Sequence, residues 1–172
     1  MALPRTFDPI LVSAVAGCGT SGAAIDLWVR RVPNPLTLGI VALGLVLAAT
    51  HGTGIGIGGA LAGLGVGLLL MLPSYVIGAT GGGDVKLLAA LGTLLGPSAV
   101  VLAFFYSAIA GGALAVLVAL WRRRLRTTMA NTAALVATRG AVAVEIERSS
   151  ENNRFAYAPA IALGALAAAM GL

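Results

Sequence analysis

The sequence predicts an all-α membrane protein that crosses the bilayer about six times. Of its 172 residues, 59% are hydrophobic and only 10% are charged, and its mean hydropathy of +0.99 is far above that of a soluble domain. Glycine- and proline-containing turns separate long apolar stretches, and basic residues gather at alternate turns. We therefore attribute the net charge of +5 to membrane topology, and we expect no nucleic-acid partner.

Six apolar stretches are the candidate spans. A full span takes about 20 residues, so the second and fourth stretches are short and are expected to tilt or to pack against neighbours. The short fourth stretch follows a glycine-rich loop. We interpret residues 1–172 as a single membrane domain. The stretches are Pro9–Leu27, Leu36–Thr50, Ile55–Ile77, Val85–Leu95, Ala99–Trp121 and Phe155–Leu172.

Turn residues mark the boundaries between these stretches. In Pro33-Asn34-Pro35 we expect Asn34 to cap the second helix and Pro35 to be its first residue. Residues 78–83, which include four glycines, form a later turn, and Gly96-Pro97-Ser98 forms the next. The polar segment 122–154 is predicted to be a loop.

Basic residues lie almost entirely on one side of the predicted bundle. With six spans, ten of the eleven basic residues fall on that side and only Arg5 falls on the other. The positive-inside rule then places the basic loops, including 122–154, in the cytoplasm and both chain ends outside. Asp26 and Asp84 consequently lie near the cytoplasmic face.

Asp26 and Asp84 are the only acidic residues between the start of the first apolar stretch, at Pro9, and the end of the fifth, at Trp121. A charge at such a position is costly unless it has a function. Each also has a structural interpretation, because Asp84 could be a helix N-cap and Asp26 could pair with Arg30 four residues later. Their similar depth favours a joint function.

Two adjacent carboxyl groups share a proton and titrate as a pair. The ionised one can take a proton from water while the protonated one polarises a peptide carbonyl, which hydrolyses the peptide without a metal. Helix polarity suggests Asp84 as the base and Asp26 as the acid. The single cysteine and His51, the one histidine, support neither a metal site nor a cofactor.

Three residues near Asp84 are predicted to support the site. Gly81 and Gly83 would let the backbone turn sharply and admit an extended substrate strand, although an ordinary turn would look similar. Lys86 is two residues from Asp84, so it does not face Asp84 on a regular helix. We expect its side chain to reach the cytoplasmic headgroups.

Two motifs resemble those of a known family. Asp26-Leu27-Trp28-Val29-Arg30-Arg31-Val32-Pro33-Asn34 and Gly81-Gly82-Gly83-Asp84-Val85-Lys86-Leu87 resemble the two signatures of the type IV prepilin peptidases, which are GxGD aspartic proteases. The similarity is closest to the short Tad/Cpa-type members that process Flp-like pilins. Residues 157–164 resemble the final helix of that family.

The resemblance implies a membrane-embedded aspartic endopeptidase in the bacterial inner membrane, with Asp26 and Asp84 as its catalytic residues. Such enzymes remove the basic leader of a prepilin, typically just after a glycine, at the cytoplasmic face. The implied partners are a prepilin with a basic leader and an apolar helix, and the lipid bilayer. The cysteine-rich insertion of the longer members is absent, so the resemblance does not extend to N-methylation.

Two alternative functions are also compatible with the sequence: one uses the same two aspartates, and the other uses neither. The chain could be a small transporter or channel that relays protons or cations through Asp26 and Asp84, or a catalytically idle scaffold. The position of both acids near one face, and the absence of an evident inverted repeat, favour the peptidase.

Overall fold

The computed structural model describes residues 8–29, 32–50, 54–78, 80–121 and 157–171. These residues form helices, and no strand is found among them, which confirms the all-α prediction. The five helices are α1 (Pro9–Val29), α2 (Asn34–Ala49), α3 (Gly56–Val76), α4 (Gly82–Trp121) and α5 (Ala158–Ala169). The predicted loop 122–154 lies outside the described residues.

Three helices in the described ranges are long and apolar enough to cross a membrane. They are α1, α3 and residues 82–117 of α4, whereas α2 and α5 are shorter apolar helices. The described residues thus form five helices where the sequence predicted six spans. The predicted fourth and fifth spans both fall within α4, whose two helical segments are joined at a non-helical residue, Gly96.

A break at Gly96 divides α4 into a first arm, residues 82–95, and a second arm, residues 97–121. Gly96 has φ 77° and ψ 175°, a conformation that residues with a side chain rarely adopt. Pro97 follows and has no N–H to continue the helical ladder. The sequence predicted a turn at this position, and the structure has a kink there.

The first arm of α4 is the central column of the bundle. Every residue from 84 to 96 is buried except Lys86, and α4 contacts each of the other four helices. A helix that is apolar on all sides lies either in a protein core or in a membrane, and here the neighbouring helices enclose it. Asp84 therefore lies on the most enclosed helix of the described structure.

Small residues let the helices approach α4 closely. A Cβ on Gly63 of α3 would overlap the carbonyl oxygen of Gly92, and one on Gly44 of α2 would overlap the Thr93 side chain. Close contacts through glycine are common between membrane helices because they bring the two backbones together. At these positions α2 and α3 therefore pack directly against α4, without long side chains between them.

The start of α2 differs by one residue from the prediction. Pro33, with φ −71° and ψ 145°, is the N-cap, and Asn34 is the first helical residue. The Pro33 carbonyl accepts hydrogen bonds from the N–H groups of Leu36 at 3.1 Å and Thr37 at 3.4 Å. Expecting Asn34 as the cap and Pro35 as the first helical residue was therefore wrong, because Pro33 already has the extended conformation of a cap.

Candidate active site

Asp84 lies in the first turn of α4. Gly81 precedes the helix, and its N–H donates to Asp84 Oδ2 at 3.3 Å. A side chain in the third helical position that binds the N–H of the cap residue is half of a capping box. The N-cap interpretation of Asp84 was therefore wrong, since Gly81 is the cap. The carboxylate still benefits from the positive end of the helix dipole.

The sharp turn before Asp84 is made by a different glycine from the two that were predicted to make it. The positive φ of this turn, 74°, is at Gly78, whereas neither Gly81 nor Gly83 has a positive φ. A Cβ on Gly83 would lie 3.3 Å from both the Cβ and the backbone N of Val32. Gly83 thus permits close packing, Gly81 supplies an N–H, and Gly78 makes the sharp turn.

Asp26 lies in the last turn of α1 and is only 7% exposed. Its Oδ2 accepts a hydrogen bond from the N–H of Ala158, the first residue of α5, at 3.4 Å. The sequence suggested that the C-terminal end of its own helix would disfavour the anion. The N-terminus of α5 opposes that effect, because its first N–H groups have no partners within the helix. Arg30, the predicted ion-pair partner, lies outside the described residues.

The fold brings Asp26 and Asp84 together. Both carboxyl groups are buried, Asp26 being 7% exposed and Asp84 9% exposed. One turn before Asp26, a Cβ on Gly22 would lie 2.9 Å from Leu87 Cδ1, and Leu87 follows Asp84 by one turn. Helices α1 and α4 thus contact each other at the level of the two carboxyl groups.

Two polar residues border this site that the sequence did not single out. The Tyr157 hydroxyl donates to the carbonyl oxygen of Ser107 at 3.1 Å. The Thr80 hydroxyl is buried and has no hydrogen-bond partner among the described residues. The sequence could have indicated Tyr157 by its position, because the Tyr157-Ala158-Pro159 segment begins a short apolar helix.

The two sequence motifs are joined by a hydrogen bond. Lys86 Nζ donates to Asn34 Oδ1 at 3.0 Å, across 52 positions of sequence. Lys86 was expected to extend toward headgroups, and the structure instead gives its ammonium a protein partner. Asn34 is free to accept this bond because Pro33, not Asn34, caps α2.

A cleft of about 580 Å³ opens between the end of α1 and the start of α2. Its walls are mostly apolar, and the residue that precedes Asp26 forms part of them. The cleft suits an apolar peptide segment better than a charged one. Its lining residues are Ile25, Val29, Val32, Pro33 and Asn34.

The chemistry of the site is that of two buried carboxyl groups. No group of three or more potential metal ligands is found among the described histidine, cysteine, aspartate and glutamate residues. Two interacting carboxyl groups can divide the tasks of acid and base between them. This arrangement can activate a water molecule.

The model of the type IV leader peptidase family matches residues 13–116. The match covers more than half of the chain and includes Asp26 and Asp84. The chain belongs to the type IV leader peptidase family. No curated protein and no solved structure gave a significant match. The resemblance seen in the two motifs is thus confirmed, and α5 lies outside the matched residues of this leader peptidase.

The bond between Lys86 and Asn34 gives a testable prediction for the leader peptidase. We expect Lys86→Met and Asn34→Ala each to lower the free energy of unfolding by about 1 kcal/mol, because each removes the same hydrogen bond. The double variant should lose little more than either single variant. Thermal unfolding in detergent measures all three. Strictly additive losses would show that the two side chains do not interact.

Proposed function

We propose that this leader peptidase is an aspartic endopeptidase that removes the basic leader of type IV, Flp-like prepilins at the cytoplasmic face of the inner membrane. The observation that carries the proposal is that two buried aspartates, Asp26 and Asp84, come from two helices that pack together one turn away, inside the stretch that matches the family. We assign both residues as catalytic, with Gly81, Gly83 and Lys86 in supporting positions.

In the proposed reaction the pair activates water. One ionised carboxylate takes a proton from water, whose oxygen attacks the peptide carbonyl carbon. The other, protonated carboxyl donates a hydrogen bond to the carbonyl oxygen and stabilises the tetrahedral intermediate. Its collapse breaks the C–N bond, and the amine leaves with a proton from the acid.

The assignment of Asp84 as base and Asp26 as acid remains a proposal. The assignment was based on helix polarity, which favours an anion at the start of α4, where Asp84 lies. In the structure, the N-terminus of α5 provides a similar environment for Asp26. Both carboxylates thus have one backbone N–H donor. Infrared titration of each carboxyl group, separated by isotope labelling, tests the order: an Asp26 that ionises first would reverse the two roles.

The proposed topology is compatible with a prepilin substrate that has a basic leader and an apolar helix. Both chain ends would lie outside, and the basic loops, including 122–154, would lie in the cytoplasm with the active site. The basic leader would stay in the cytoplasm while the apolar pilin helix lies in the bilayer. The apolar cleft beside Asp26 would receive the residues next to the cleaved bond.

A reconstituted cleavage assay tests the proposal. The full chain in proteoliposomes receives a synthetic peptide with a basic leader, a glycine and an apolar helix, and mass spectrometry identifies the products. We expect one cut, after the glycine, at the same rate with or without EDTA. A peptide in which the glycine is replaced by tryptophan is the matched control and should stay intact.

The rival function has its own signal in the same vesicles. Buried acids in membrane helices also serve as proton relays, so a pH-sensitive dye is enclosed in the lumen. An intact peptide together with proton flux that requires Asp26 and Asp84 would replace the peptidase by a transporter. An intact peptide without flux would favour an idle scaffold.

A further inference from the structure

The Tyr157 side chain fixes the start of α5 to the second arm of α4. Its hydroxyl donates to the Ser107 carbonyl at 3.1 Å, and a Cβ on Gly111, one turn further on, would overlap its ring. Further along α5, Gly164 contacts Ser107 and the Ala103 carbonyl so closely that no side chain fits there. The beginning of α5 is therefore held at a defined place.

The residue after Tyr157 contacts the proposed dyad. The N–H of Ala158 donates to Asp26 Oδ2, and Ala158 is fully buried. A backbone N–H in the first turn of a helix cannot reorient by itself, and Pro159 restricts the backbone at this position further. The direction of this N–H consequently follows the placement of Tyr157.

We propose that Tyr157 is a positioning residue of the leader peptidase, which holds the Ala158 N–H against Asp26 by anchoring the start of α5 to Ser107. The proposal rests on the proposed catalytic function of Asp26. It extends the active site to a third segment of the chain, which lies outside the residues that match the family.

Tyr157 directly precedes the residue whose N–H binds the Asp26 carboxyl group. If the start of α5 moved, the Ala158 N–H would no longer hold the Asp26 carboxyl group in place relative to Asp84. Small misplacements of catalytic groups cost up to about 100-fold in rate.

Three variants test the proposal in the reconstituted cleavage assay. Tyr157→Phe removes only the hydroxyl, and Gly111→Ala displaces the ring from the opposite side. We expect each to lower kcat roughly 10- to 100-fold with KM unchanged, because the substrate cleft is formed by other residues. Gly112→Ala is the matched control: a Cβ there meets nothing within 4 Å, so wild-type kcat is expected.

The double variant of Tyr157→Phe and Gly111→Ala should be no slower than the slower single variant, because both act on one contact. Wild-type kcat in Tyr157→Phe and Gly111→Ala would overturn the proposal, as would activity that falls only in proportion to the folded fraction. If wild type and Gly112→Ala do not cleave at all, the proposed function fails instead.

Discussion

Replacement of either Asp26 or Asp84 by asparagine is expected to abolish leader removal without unfolding the protein. Asparagine keeps the size of the side chain, and its carbonyl oxygen can still accept the N–H of Ala158 or Gly81. It can neither take a proton from water nor donate one to the leaving amine. We expect each variant to lose at least about 1,000-fold in kcat, within the range for acid–base catalysis.

Asp8→Asn is the matched control for these variants. Asp8 accepts the N–H of Ile10 at 3.0 Å at the start of α1, and asparagine serves equally well at such a position. Its rate should equal that of wild type. Wild-type rates in Asp26→Asn and Asp84→Asn, with cleavage measured on the same peptide, would exclude the dyad. Loss in only one of them would indicate a single catalytic acid.

The second large effect is expected at the contact between α3 and α4. The Cβ of alanine at Gly63 would overlap the carbonyl oxygen of Gly92 and would lie 2.9 Å from the Cα of Gly96. These neighbours are backbone atoms, so no side-chain rotation relieves the overlap. Gly63→Ala is expected to lower the free energy of unfolding by about 1–3 kcal/mol or more.

Gly65→Ala is the matched control on the same helix. A Cβ at Gly65 meets nothing within 4 Å, and alanine favours a helix over glycine by about 1 kcal/mol. Its thermal unfolding temperature in detergent should therefore equal or exceed that of wild type. Equal unfolding temperatures for Gly63→Ala and Gly65→Ala would show that α3 and α4 do not pack as closely as the structure has them.

Local patterns in the sequence predicted the helical segments and the break at Gly96. These features depend on hydrophobic runs and on the special backbone of glycine and proline, and both are visible within a few residues. They also pointed to Asp26 and Asp84, because an acid among apolar residues is conspicuous. That the two acids act together was inferred from their shared depth.

Contacts between distant segments could not be predicted in the same way. Ala158 binds Asp26 across 132 positions, and nothing near either residue specifies the other. Likewise the sequence shows that glycine is abundant, but not that Gly83 faces Val32. Whether a glycine turns the chain or admits a neighbour depends on which helix packs against it.

The contact between Ala158 and Asp26 makes completion of the site a late event in synthesis. Helix α1 and the start of α4 are made before α5, so both aspartates are present in a nascent chain that lacks the N–H donor of Asp26. The final arrangement forms only when α5 docks on the second arm of α4. An unfinished leader peptidase therefore carries both acids while Asp26 still lacks the backbone N–H that binds it in the folded protein.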